Sequence, residues 1–179
     1  MINQNNCLFL IIDIQDKLVA SVKNCDIVTK AAKLVKAADI LKIPVILSEQ
    51  YPKGLGNTVI PIVSVLPDNT YKFEKTFFSL LKEEGFLSKL KSYNKKQIIV
   101  CGIEAHICVH QTVEDLIFEG FDVVVAKDIC ASRNAYEFEI GIDCMRNNGA
   151  KISCLESILF ELLRGSKHPD FKEIQSLIK

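Results

Sequence analysis

The sequence predicts a single α/β domain built in three layers, α/β/α and Rossmann-like, with a mainly parallel central sheet. Three observations lead there. The run Cys7-Leu8-Phe9-Leu10-Ile11-Ile12 is apolar at every position, as a strand covered on both faces must be. Further apolar runs of strand length alternate with stretches of helical period, which is the order of crossover units in a parallel sheet. The chain has 179 residues, 49% apolar and 25% charged, which suits one globular domain spanning residues 1–179.

The elements follow in order. Asp13 stops the first strand. From Val28 to Leu41, Ala31, Leu34, Val35, Ala38 and Leu41 repeat with the helical period. Pro44-Val45-Ile46-Leu47 reads as a second strand, Gln97 to Cys101 as a third, Asp122 to Ala126 as a fourth and Lys151 to Cys154 as a fifth. A helix from about Ala105 to Glu119 carries Val109, Val113 and Leu116 on one face and stops at Gly120. Phe138, Ile142 and Met145 mark another, ending near Gly149. Leu155 to Leu163 and Phe171 to Ile178 close the chain as helices. Between Ser48 and about Phe78 no regular period is evident, and Pro52, Pro61 and Pro67 interrupt the stretch. Its apolar residues (Val59, Ile60, Ile62, Val63, Val65, Leu66) argue against disorder. A loop of this length is expected to be a wall of a functional site.

Composition excludes several classes of function. Lysine plus arginine number 22 and aspartate plus glutamate 22. A net charge of zero lacks the concentrated positive field that nucleic acid or an anionic membrane requires. No stretch of 18 apolar residues is present to span a membrane. The polar start, Met1-Ile2-Asn3-Gln4-Asn5-Asn6, and the short apolar run ending at Asp13 do not read as a signal peptide. The seven cysteines, Cys7, Cys25, Cys101, Cys108, Cys130, Cys144 and Cys154, are odd in number, irregularly spaced and without a C-x-x-C pair. They are expected to be free thiols in a reducing compartment, which makes the expected location cytoplasmic.

Ligands of open parallel sheets bind at the carboxyl ends of the strands. Asp13 and Gln15 follow the first strand, and Ser48-Glu49-Gln50-Tyr51 ends the second. Gly102-Ile103-Glu104-Ala105-His106-Ile107-Cys108 follows the third and opens a helix, and Lys127-Asp128 follows the fourth. Cys108 falls in the first turn of that helix, where free N–H groups and the helix dipole favour a thiolate. An ordinary buried helix cysteine is the alternative. Asp13 is a candidate base or charge partner, or else a strand-stop aspartate bonded to nearby backbone. His106 and His110 are spaced i, i+4, but no third histidine is near and H-E-x-x-H is missing. The glycine-rich phosphate loops and G-x-S-x-G are absent. Phe73, Phe77 and Phe78 fit either a pocket lining or the core.

Three segments together resemble the signatures of the isochorismatase-like cysteine hydrolases. They are Leu10-Ile11-Ile12-Asp13-Ile14-Gln15, Lys72-Phe73-Glu74-Lys75-Thr76-Phe77-Phe78-Ser79, and Val100-Cys101-Gly102-Ile103-Glu104-Ala105-His106-Ile107-Cys108-Val109. Ser48-Glu49-Gln50-Tyr51-Pro52-Lys53-Gly54-Leu55-Gly56 is similar to the branch called isochorismatase domain-containing proteins. The resemblance implies a triad of Asp13, Lys75 and Cys108. It also implies a cis peptide joining Ile103 and Glu104, which aims the N–H groups of Glu104 and Cys108 at one point as an oxyanion hole. Two departures stand out. Glu49-Gln50-Tyr51 replaces the Asp-x-His metal ligands of nicotinamidases, and Ala105 stands where many members have threonine.

The resulting expectation is a cysteine hydrolase of a small-molecule amide, with no metal and no cofactor. Gln15, Tyr51, Phe78 and His106 are candidate residues of the substrate pocket. The expected partners are a small-molecule substrate and further copies of the chain in a homo-oligomer, with no nucleic acid and no membrane. Vinyl-ether hydrolysis of the isochorismatase type, which needs no thiolate, and a non-catalytic binding role on the same fold are the alternatives. Cys108 is expected to be alkylated before the other thiols, with Cys25, in a polar loop near Lys23, as its main competitor.

Overall fold

A computed structural model describes residues 1–23 and 26–179. The chain runs β1 (Cys7–Ile12), α1 (Asp16–Ser21), α2 (Ile27–Ile40), β2 (Val45–Gln50), α3 (Pro52–Leu55), α4 (Ile60–Val63), β3 (Tyr71–Lys75) and α5 (Phe86–Ser92). It continues through β4 (Gln97–Ile103), a π-helical turn (Ala105–Val109), α6 (His110–Phe118), β5 (Asp122–Ala131), α7 (Ala135–Asn147), β6 (Lys151–Ser153), α8 (Leu155–Leu163) and α9 (Phe171–Ile178).

The strands form one sheet in the order β3-β2-β1-β4-β5-β6, and every pairing is parallel. All six residues of β1 are buried because β1 has a strand on each side and a helical layer on each face. That is what its unbroken apolar run requires. Burying each such aliphatic side chain contributes about 1.5–3 kcal/mol. α2 packs with α8 and α9 in one layer, and α6 packs with α7 in the other. α2 turns Ala31, Leu34, Val35 and Ala38 inward, and α8 turns in Leu155, Ile158, Leu159, Leu162 and Leu163. Both sets keep the i, i+3, i+4, i+7 spacing of a core-facing stripe. α7 begins where the Asn134 side chain accepts the N–H of Tyr136, a helix N-cap.

The chain lays β2 and β3 on one side of β1, then returns to lay β4 on the other. The carboxyl ends of β1 and β4 therefore bound the crevice at the topological switch point.

The stretch from Ser48 to Phe78, expected as an irregular loop, contains two short helices and a sixth strand. Tyr71–Lys75 pairs with β2, Gln50 lying opposite Lys75. Its outward residues Lys72 and Glu74 are charged, because β3 is an edge strand and faces solvent. Only the inward residues carry a strand signal. Phe73 meets the Phe86 ring edge-on at 5.2 Å and belongs to the packing. The helices α1 and α5 were also not foreseen, and β4 and β5 run on to Ile103 and Ala131.

Candidate active site

β1 ends in a turn at Asp13, whose φ of 51° is a left-handed conformation that aspartate tolerates. Its N–H donates to Ser48 O and its carbonyl accepts from Gln15 N, so the turn is tied to β2 and to the start of α1. The carboxylate is fully buried. Ser48 Oγ donates to Oδ1 at 2.7 Å, and Lys75 Nζ stands 2.7 Å from Oδ2.

Lys75, the last residue of β3, is equally enclosed, and four oxygens converge on its Nζ. Besides Asp13 they are Gln50 Oε1 at 2.5 Å, Phe77 O at 3.2 Å and Phe78 O at 3.1 Å. Such a surrounding suits an ammonium with three protons to give. Gln50 is itself held by Gln15. The Gln15 side chain accepts the Gln50 N–H at 2.7 Å and donates to Gln50 O at 3.1 Å and Gly56 O at 2.6 Å.

β4 arrives beside Asp13 through Gly102, which pairs with Ile12 at a φ of 143°. A Cβ there would stand 2.0 Å from Ile12 O, so only glycine lets the two strands close. The peptide between Ile103 and Glu104 is cis. The π-helical turn follows, with Glu104 O accepting the N–H groups of Ile107 and Val109. On α7, a Cβ at Gly141 would lie 2.7 Å from His106 Cα, so this helix backs directly onto the turn. The turn carries Cys108 to the crevice with 6% exposure, where its thiol is in polar contact with both Asp13 and Lys75.

The structure thus brings Asp13, Lys75 and Cys108 into one cluster. Burial pushes the Asp13 carboxyl above the ordinary carboxylate range, while Lys75, Ser48 and the Cys108 thiol pull it back in part. Burial and the Asp13 charge push the Cys108 thiol up to about 12, against the pull of Lys75. The expected resting thiolate is therefore corrected. The lysine does not outweigh desolvation and the neighbouring carboxylate, so the thiol form of Cys108 is favoured. Cys7 and Cys130 are pushed equally high and Cys101 well above its ordinary value, but each lies at 1% exposure or less and none shares the Asp13–Lys75 pair. Cys25 lies outside the described residues.

The other expected residues divide. Gln15 is buried with its amide spent on backbone groups, so it holds the β2 end rather than facing open space. Tyr51 and Phe78 are 55% and 52% exposed. Tyr51 lines a shallow cleft of about 320 Å³ with Lys53, Glu74, Lys75 and Glu83. His106 is anchored to the far wall, Nδ1 at 2.9 Å from Ser132 Oγ and Nε2 at 3.5 Å from Glu137. The Glu104 carboxylate turns the same way and pairs with Arg133 Nε at 2.8 Å. A hollow of about 430 Å³ at the amino-terminal edge of the sheet, lined by Ile2, Gln97 and Phe121 among others, contains no member of the cluster.

At the end of β2, Glu49 spends Oε1 on the Thr58 N–H and hydroxyl, both at 2.7 Å. His110 pairs with Glu114 at 3.1 Å, apart from His106's partners. Among the described residues no group of three metal-ligating side chains converges. Ser48 and Gln50 were not singled out by sequence reasoning. The available signal was that three polar residues, Ser48, Glu49 and Gln50, end the strand at its carboxyl edge, with Ser48 and Gln50 sharing one face.

Residues 7–157 match the Isochorismatase domain. The chain belongs to the isochorismatase family. It is 36% identical over 178 residues to isochorismatase domain-containing protein 2 of Xenopus laevis, covering 99% of this chain and 85% of that one. It is 38% identical over 181 residues to isochorismatase family protein 1A of Dictyostelium discoideum, covering 98% and 87%. Among solved structures, one described as MAR1 ribonuclease from Caenorhabditis elegans superposes with a TM-score of 0.94 at 39% identity, covering 99% of this chain and 91% of that one. The family and the three-layer fold expected from the sequence are both found. Among the described residues no helix is long and apolar enough to cross a membrane.

Proposed function

We propose that this isochorismatase-family member is a cysteine hydrolase that cleaves the C–N bond of a small amide through Asp13, Lys75 and Cys108. The observation that carries the reading is a fully buried carboxylate held between a buried ammonium and a thiol. Asp13 takes the thiol proton as sulfur attacks the carbonyl carbon. Lys75 holds the carboxylate in place and offsets the negative charge shared by base and nucleophile. The N–H groups of Glu104 and Cys108 are the proposed donors to the oxyanion. Asp13 then gives its proton to the departing amine, and in the second half activates the water that releases the acid from the thioester. Because the resting thiol lies near 12, proton transfer accompanies attack rather than preceding it. Tyr51, Phe77 and Phe78, exposed residues whose backbone groups bond to Lys75, are the proposed specificity wall. A reducing, cytoplasmic setting and self-association remain parts of the proposal, the latter supported by the exposure of Ile60, Phe118 and Tyr136.

The test is a panel of small primary amides and ureides, with intact-mass detection of an acyl adduct and its mapping to Cys108. An RNA substrate runs in parallel, because the C. elegans structure is described as a ribonuclease. Turnover of an amide with an adduct on Cys108 supports the proposal. RNA cleavage that survives loss of Cys108, with no amide turned over, refutes it.

The pH profile supplies a second check. Asp13 acts as a base only when deprotonated, and its pKa is raised by burial. The acid limb of kcat/KM is therefore expected above the ordinary aspartate value of about 3.9. Cys108 adds no rise on the alkaline side below about 12. A profile that climbs with a pKa of about 8.5, the value of a free thiol, would show a pre-formed thiolate and contradict this order of events.

A further inference from the structure

We infer that Glu83 is a positioning residue for Lys75: its carboxylate folds the loop 76–78 so that two backbone carbonyls seat the lysine ammonium. The inference rests on the role proposed for Lys75.

Lys75 is the last residue of β3, and the chain bends sharply after it. Two of the four oxygens around Nζ are Phe77 O and Phe78 O, two and three residues further on. Their positions depend on how the loop is folded. One atom gathers that fold. Glu83 Oε1 accepts the Thr76 N–H at 2.5 Å, the Phe77 N–H at 2.8 Å and the Thr76 hydroxyl at 3.2 Å. Successive N–H groups converging on one anionic oxygen make a small backbone nest. These N–H groups belong to the peptides whose carbonyls, Lys75 O and Thr76 O, accept the Tyr51 N–H and the Gln50 side-chain amide. Pinning these two peptides fixes the path of the chain into Phe77 and Phe78, whose carbonyls face Lys75.

Glu83 is held from below. It ends the turn Leu80–Lys82, its N–H donating to Leu80 O. That turn is fixed to α6, because Ser79 Oγ donates to Asp115 Oδ2 at 2.6 Å and the Leu80 N–H donates to Thr112 Oγ1 at 3.2 Å. Lys82 adds an ion pair to Asp115 Oδ1 at 3.0 Å. α6 continues directly from the turn that bears Cys108. The lysine loop and the nucleophile are thus referenced to one helix. In keeping with this, against the upward push of partial burial, the Phe77 and Thr76 N–H bonds, with the Thr76 hydroxyl and the Lys75 charge, hold the Glu83 carboxyl below its ordinary value.

Glu83→Ala removes the shared acceptor, and Glu83→Gln keeps an oxygen at the same place without the charge. Three readouts separate the possibilities: kcat and KM on the amide of the panel that is cleaved fastest, hydrogen exchange of the Thr76 and Phe77 amides, and acylation of Lys75 by an amine reagent mapped by mass spectrometry. For Glu83→Ala, kcat is expected to fall on the order of 10- to 100-fold with KM unchanged, as for a small misplacement of a reacting group. The two amides are expected to lose protection and Lys75 to become reactive. Glu83→Gln is expected to restore all three toward wild type. Unchanged exchange and unchanged Lys75 reactivity in Glu83→Ala overturn the inference. So does a Glu83→Gln protein that regains protection yet keeps the low kcat, because charge rather than placement would then be at work. Exchange and lysine labelling need no substrate. If wild type turns over no amide, the hydrolase reading fails, while these two readouts still decide whether Glu83 seats the lysine.

Discussion

Cys108→Ala is expected to lower kcat/KM on a cleaved amide by about 10⁴- to 10⁶-fold, the range found when a covalent nucleophile is removed. The fold should change little, because only a sulfur atom is lost from a turn fixed by Glu104 O, Gly102 and Gly141. A stability change of about 1 kcal/mol is expected from a urea melt. Asp13→Asn should cost nearly as much activity, since Asp13 is the carboxylate in polar contact with the thiol. The double variant should be no worse than either single one, because base and nucleophile act as a unit. A Cys108→Ala enzyme within tenfold of wild type would remove covalent catalysis and bring vinyl-ether hydrolysis forward.

Lys75→Met carries the second large effect, and it acts on stability and activity together. It removes the ammonium 2.7 Å from Asp13 and leaves a fully buried carboxylate without its charge partner. Breaking a buried pair in this way costs about 3–5 kcal/mol. The cost depends on pH with a definite sign. Asp13 already binds its proton more tightly in the folded protein than an ordinary aspartate does. Without Lys75 that preference grows. Below about 3.9, the ordinary aspartate value, folded and unfolded chains both carry the proton and the penalty is absent. It develops as pH rises from there through the folded value, and is complete above it. Urea melts of Lys75→Met across this range should show stability falling with pH, and adding Asp13→Asn should recover most of the loss at neutral pH. Activity at neutral pH should drop by about 10²- to 10⁴-fold, because without the ammonium Asp13 holds its proton more tightly and serves less well as base. A variant as stable as wild type at neutral pH would mean that the pair contributes nothing to folding.

The sequence carried the fold and the chemistry unequally. β1 was legible because six consecutive apolar residues fit a strand covered on both faces. β3 was not, because an edge strand shows its pattern on one face only, and Lys72 and Glu74 masked it. The resemblance supplied the triad positions, and the structure brings those three side chains together. The Cys108 pKa was misjudged because helix position is visible in a sequence and depth of burial is not. Gln15 was placed in the pocket by its position after β1, whereas its amide serves the backbone of Gln50 and Gly56. Glu83 left no mark at all. Its importance lies in which N–H groups it reaches, a matter of loop shape rather than residue type.

The lysine of the cluster sits on one of the two edge strands of the sheet. β3 has a single neighbour, β2, while β1 and β4, which lead to Asp13 and Cys108, are each paired on both sides. An edge strand opens in fluctuations that leave the centre of the sheet closed. Heat should therefore reach function before it reaches the core. A molecule with β3 detached keeps its paired interior and its far-ultraviolet signal, yet has lost the cation beside Asp13. On the role proposed for Lys75, activity is expected to be lost at a lower temperature than the fold, because different strands set the two tolerances.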